Sequence, residues 1–131
     1  MNADPEVMAF FPSTLSHEAS DRSIDAWQAQ FSGRGWSNWA VELRDTGESV
    51  GFVGLSVPVR QLPFCPCVEI GWRLSRAHWG NGYATEGALG VLRMGFAEIG
   101  LDEIRQPCSR SPAAVIKTAA KLIKLLVLVV T

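Results

Sequence analysis

The chain has 131 residues, 47% of them hydrophobic and 19% charged, with a formal net charge of −1. That is one domain's worth of sequence with enough apolar mass for a buried core, which excludes a disordered tail and argues against two separate domains. The near-neutral balance gives no electrostatic footprint for nucleic acid, and Cys65, Cys67 and Cys108 form no even disulfide framework and lack the two-residue spacer of a metal knuckle, so no metal is expected.

No basic stretch followed by an apolar core opens the chain, so a cytoplasmic protein with reduced thiols is expected. Asp4-Pro5-Glu6 reads as a helix opening, because Asp caps free amides, Pro is pre-set for the first turn and Glu suits the positive dipole end; the helix is short, since Pro12 follows. After the capping residues Ser13 to Ser16, Ile24, Trp27 and Phe31 recur at helical spacing with Asp21, Arg22, Asp25 and Gln28 between them. That predicts an amphipathic helix ending near Gly33. From Trp36 the period falls to two, with Trp39, Val41 and Leu43 on one face. A polar turn at residues 44–48 leads to a second strand, 49–57, with Val53, Leu55 and Val57 inward, and the two should form an antiparallel hairpin.

A proline-punctuated loop, 58–66, precedes a third strand, 67–74, in which Val68, Ile70, Trp72 and Leu74 alternate with Glu69, Gly71 and Arg73. Next comes the stretch HWGNGYATEG, then a helix over about residues 84–99 with Ala88, Leu89, Leu92, Phe96 and Ile99 at three- and four-residue steps and Gly100 as its stop. Residues 101–106 suit one more short strand. Meander, glycine loop, helix and strand make an α+β fold on one twisted, mostly antiparallel sheet with flanking helices.

The glycine loop is the informative element. A helix N-terminus offers unpaired N–H groups and a positive dipole end, so it holds an anion without a cationic side chain. A diphosphate reaches those amides only if the residues before the helix carry no obstructing side chain and tolerate positive φ, which Gly80 and Gly82 allow. A Walker-type loop needs Gly-Lys-Ser/Thr, and no lysine precedes Lys117. The dinucleotide fingerprint wants Gly or Ala where Thr85 stands and an apolar parallel strand before it. The alternative is a plain strand-to-helix turn.

Residues 67–104, CVEIGWRLSRAHWGNGYATEGALGVLRMGFAEIGLDEI, resemble the coenzyme A-binding part of the GNAT acetyltransferases, and more narrowly their RimJ/RimL-like branch. The segments NADPEVMAFFPSTLS and WAVELRDTGESVGFVGLSVP are similar to the early helices and central hairpin of that branch, so the resemblance spans roughly residues 1–105 of a single domain, followed by an atypical tail over 106–131. It implies a GNAT-like fold and an acetyl-CoA-dependent N-acetyltransferase acting on a primary amine of a peptide N-terminus or small molecule. Amides of Gly80, Asn81, Gly82, Tyr83 and Ala84, with Trp79 at the loop entrance, would hold the pyrophosphate. The backbone of Trp72, Arg73 and Leu74 would pair with the pantetheine arm where the strands splay, and a bulge in the third strand would aim an amide at the thioester oxygen. Glu69 would be the general base, its structural alternative being an ion pair with Arg73. Glu86 would brace the loop, His78 would stand at a phosphate or in a turn, and Trp36 and Trp39 would line an acceptor groove.

The chain also departs from the family. The resemblance implies a further strand before Asp4, so the fold is expected to be incomplete at both ends, with an open sheet edge that invites a homodimer. Tyr83 is the only tyrosine, so the family's usual general acid has no counterpart. Charge also shifts: residues 1–100 hold seven arginines against eleven acids, residues 101–131 five bases against two acids. Lys117, Lys121 and Lys124 would make one basic stripe on a helix, beside an apolar run too short to span a membrane. A packed terminal element, a membrane-surface helix and a tail read from a shifted frame all fit that segment. The alternative function is a catalytically impaired coenzyme A-binding remnant or a non-enzymatic interaction module.

Overall fold

The computed structural model describes residues 1–9, 11–58, 67–108 and 111–117, with side chains described as far as residue 105. Helix α1 spans His17–Arg34, started by the Ser16 hydroxyl, which accepts from the Ala19 N–H at 3.2 Å, and ended by left-handed Gly35, whose N–H bonds to Phe31 O. It ends one residue past Gly33. Strands β1 (Asn38–Glu42), β2 (Ser49–Ser56), β3 (Glu69–Leu74), β4 (Glu103–Cys108) and β5 (Ser111–Lys117) form one sheet in chain order. Every neighbouring pair is antiparallel except β3–β4, which is parallel. Helix α2, Tyr83–Met94, provides the crossover between those two and packs on β2 and β3.

Period-two alternation decides the two faces. Val53, Leu55 and Ile70 meet Val91 and Leu92 of α2 and Ile104 of β4 in one core cluster, with Trp39, Val41, Ala88 and Phe96 against it. On the opposite face Trp27 of α1 lies on Phe52, ring centroids 4.6 Å apart. No residue of α1 is fully buried and Ile24 is 47% exposed, so α1 is held by a few aromatic contacts and is a looser layer than α2.

The structure departs from the periodicity in several places. The segment at Asp4 is a series of turns, not a helix: the Asp4 carboxylate accepts from the Glu6 N–H, and both acids reach Arg76, so side chains suited to capping tie the segment to the next layer instead. Val57 lies beyond the end of β2 and is 38% exposed, because the β2–β3 ladder stops at Ser56 and Glu69. The irregularity expected in the third strand falls in β2, where Val50 is the extra residue against β1 and is buried, while the β2–β3 register runs unbroken. After Met94 the helix widens into a π turn, Gly95–Ile99, closed by left-handed Gly100. Gly95 sits against Ile104 and Leu55, where a carbon at Cβ would come within 2.8 Å of the Ile104 side chain. Val91, not Leu89, is the buried partner of Leu92. Lys117 ends β5 opposite Glu103, which fits the packed terminal element among the readings of that segment, and Lys121 and Lys124 lie outside the described residues.

Candidate functional site

β3 ends at Leu74, and a short 3-10 turn, Arg76–His78, leads into the loop before α2. Gly80 and Gly82 both have φ of +78°, a left-handed conformation that costs a residue with Cβ about 1–2 kcal/mol. Gly82 is the N-cap of α2, and its carbonyl accepts the helix's first bond, from Glu86 N–H at 3.0 Å. The N–H groups of Tyr83, Ala84 and Thr85 therefore precede the helix's own ladder, and a glycine cap supplies no side chain to meet them. A Cβ built at Gly80 or Gly82 would meet nothing within 4 Å, so conformation rather than crowding demands glycine, and the approach is clear.

Side chains fix the loop from behind. Asn81 Nδ2 donates to the carbonyls of His78 and Trp79, and Trp79 Nε1 donates to Leu74 O at 3.0 Å. His78 Nδ1 meets the Ser75 hydroxyl at 2.7 Å, and its Nε2 is 3.6 Å from the Glu48 carboxylate, an ion pair only when the ring is protonated. His78 is thus a turn residue anchored to the β1–β2 connection. Glu86 is in the first turn of α2, at the positive dipole end.

The parallel pair β3–β4 meets at one register position, Glu69 opposite Arg105, where Arg105 N–H bonds to Val68 O. Beyond that point the strands diverge. Ser75 N–H bonds to Val50 O, so strand alternation turns the main-chain groups of Glu69, Gly71 and Arg73 toward β2 and those of Trp72 and Leu74 toward the gap left by β4. Glu69 stands at the vertex of the gap, half-buried, its carboxylate accepting from the Ser56 hydroxyl at 3.3 Å.

A cleft of about 420 Å³ follows the open side of this arrangement. Nine of the residues read from the sequence line it: Trp72, Arg73, Leu74, His78, Trp79, Gly80, Gly82, Tyr83 and Ala84. Asn81 acts from outside as a brace, and Glu69 lies beyond the cleft at the vertex. Val7 and Phe11 of the N-terminal turns form the far wall; their apolar i, i+4 spacing was the available signal, and it was absorbed into the expected helix. Arg73 is not turned to Glu69: its Nη1 donates to Asn2 Oδ1 at 2.8 Å, and its guanidinium stacks 4.3 Å from the Phe11 ring and 5.3 Å from Phe52. Burial lowers its pKa from the ordinary value, yet arginine stays charged at any working pH.

A second cavity, about 590 Å³, lies between α1 and the sheet, with Trp27, Phe31 and Phe52 in its wall. Trp36 and Trp39 line neither space; Trp36 lies under Arg34 and Trp39 edge-on to Phe31. Among the described residues no cluster of His, Cys, Asp and Glu has the makings of a metal site, and no helix is long and apolar enough to cross a membrane. The loop 59–66 lies outside the described residues.

Comparison with known proteins gives one answer. A model of the acetyltransferase (GNAT) domain matches residues 1–122. The chain is 41% identical over 96 residues to the Bacillus subtilis protein YkkB, covering 72% of this chain and 54% of that one. It is 34% identical over 111 residues to the FsC-acetyl coenzyme A-N(2)-transacetylase of Aspergillus fumigatus, covering 79% and 46%. The chain thus spans about half the length of these relatives. In fold it is similar to the crystal structure of an acetyltransferase from Agrobacterium tumefaciens, with a TM-score of 0.67 at 24% identity, over 81% of this chain and 59% of that one.

Proposed function

The chain belongs to the acetyltransferase (GNAT) domain family, and from that premise we propose an acetyl-CoA-dependent N-acetyltransferase of the RimJ/RimL-like branch, acting on a primary amine of a peptide N-terminus or small molecule. The observation that carries this reading is the left-handed Gly82 cap, which presents the first amides of α2 at the open end of the gap between β3 and β4. An unobstructed helix mouth suits a diphosphate, and an adjoining strand with one free edge suits an extended amide-bearing arm. The Aspergillus relative named for transfer from acetyl coenzyme A supports the same donor.

In this reading the amides of Gly80, Asn81, Gly82, Tyr83 and Ala84 hold the pyrophosphate. Trp72 and Leu74 pair through their main chains with the pantetheine arm, and Arg73 stands between them. The donor supplies an activated thioester carbonyl. An α-amine of pKa about 8, or a lysine near 10, is mostly protonated at neutral pH and is no nucleophile. The Glu69 carboxylate takes that proton, directly or through water. The nitrogen lone pair then bonds to the carbonyl carbon, the nitrogen gives up its second proton to water, the carbon–sulfur bond breaks, and the sulfur leaves as thiolate.

A second reading, a coenzyme A-binding protein with impaired turnover, is favoured by one observation: the single tyrosine of this sequence, Tyr83, is the first residue of α2, next to the Gly82 cap that this reading gives to the pyrophosphate. Calorimetric titration with acetyl-CoA tests the site, with binding expected in the wild type and lost in Gly82→Asp, whose carboxylate would block and repel the diphosphate. Thiol release on adding amine acceptors separates turnover from binding alone. A silent wild-type titration overturns both readings. We place the enzyme in the cytoplasm, and we propose that β1, an edge of the sheet, pairs with a second copy; a monomer at all concentrations in sedimentation velocity would remove the dimer.

A further inference from the structure

Arg73 is a half-buried charge whose side chain the acetyl-transfer reading does not use: its main chain belongs to the β2 ladder, and its side chain reaches the N-terminal turns that wall the cleft. Among the described residues three contacts hold it: its guanidinium carbon lies 4.3 Å from the Phe11 ring centroid and 5.3 Å from that of Phe52, and Nη1 donates to Asn2 Oδ1. Within the described residues its Nε is buried with no hydrogen-bond acceptor, so the guanidinium is held by stacking as much as by hydrogen bonding. Asn2 in turn donates through Nδ2 to Ser20 of α1 at 3.0 Å, and its carbonyl accepts from Leu15 N–H. Phe11 and Val7 are the far wall of the cleft whose near wall is the glycine loop. One side chain on β3 therefore joins the N-terminal turns, α1 and the strand that faces the gap.

We propose that Arg73 is a positioning residue for the coenzyme: through Phe11 and Asn2 it sets the wall opposite the glycine loop, and thereby the width of the cleft. The inference rests on the acetyl-CoA reading of that cleft. Stacking needs a plane, so charge alone does not replace it, and lysine is a poor substitute. The Arg76 pairs with Asp4 and Glu6 also tie down the turns, but they are exposed and hold the segment only at its outer edge.

The test measures steady-state kinetics, calorimetric affinity for coenzyme A and amide hydrogen exchange of residues 1–11 in the full chain. Arg73→Met is expected to raise the KM for acetyl-CoA about tenfold while kcat changes less than about twofold, with faster exchange in residues 1–11. Arg73→Lys should behave like Arg73→Met. Asn2→Ala, which spares β3, should raise KM by about threefold, and the double variant Asn2→Ala/Arg73→Met should be no worse than Arg73→Met alone. Unchanged KM and exchange in Arg73→Met, additive effects in the double variant, or full rescue by lysine would overturn the inference. If the wild type takes up no coenzyme, the acetyltransferase reading fails instead, which the same titration shows directly.

Discussion

In the proposed function two residues bear most of the chemistry, and each has its own test. At Gly82 alanine adds only a methyl group pointing into open space, so its penalty is purely conformational: about 1–2 kcal/mol of stability for a left-handed φ of +78°. Chemical denaturation should register that loss while coenzyme affinity falls far less than in Gly82→Asp. Glu69→Gln keeps the Ser56 contact and removes the base. Its expected effect is a fall in kcat of about a hundredfold or more with little change in the KM for acetyl-CoA. An unchanged kcat would assign the proton to another group.

At the level of elements, the start of α1 is a polar device. Glu18 has its pKa held below the usual carboxylate range, first by a hydrogen bond to its own backbone N–H and then by the Ser16 hydroxyl. A folded-state pKa below the unfolded one contributes stability above the unfolded value, and that contribution is lost as pH falls through the folded one. The difference between wild type and Glu18→Gln should therefore be present near neutrality and vanish in strong acid; Ser16→Ala should cost about 1 kcal/mol. The β2–β3 pair is tighter: a Cβ at Gly51 would run into the Arg73 carbonyl and come within 2.8 Å of Leu74 Cα, both backbone. Gly51→Ala is expected to cost about 3 kcal/mol, read by urea unfolding, because the collision is with main chain that cannot swing aside.

Across the whole molecule, α2 is fixed in a deep core, whereas α1 buries no residue fully and the N-terminal turns add only Val7 and Met8 to their aromatic contacts and ion pairs. The cleft lies between the firm layer and the loose one. That arrangement sets the glycine loop opposite a wall made by a few side chains, with Arg73 holding Phe11 and Asn2 of that wall. Much of this was legible in the sequence. Alternation over residues 67–74, the two glycines and the following apolar spacing fixed strand, loop and helix mouth, because they depend on local φ preferences and period. The turns at Asp4 were misread because their side chains bond to Arg76, seventy residues away, which no local rule detects.

What the chain specifies on its own is thus the cradle: glycine's freedom at positive φ and the free amides of a helix start are properties of a few consecutive residues. Tertiary structure alone decided which strand edge stays open, since β3 and β4 share a ladder position only at Glu69 and Arg105. It also decided what Arg73 does. Alternation put that side chain on a face; only the packed turns, through Phe11 and Asn2, gave the face something to hold.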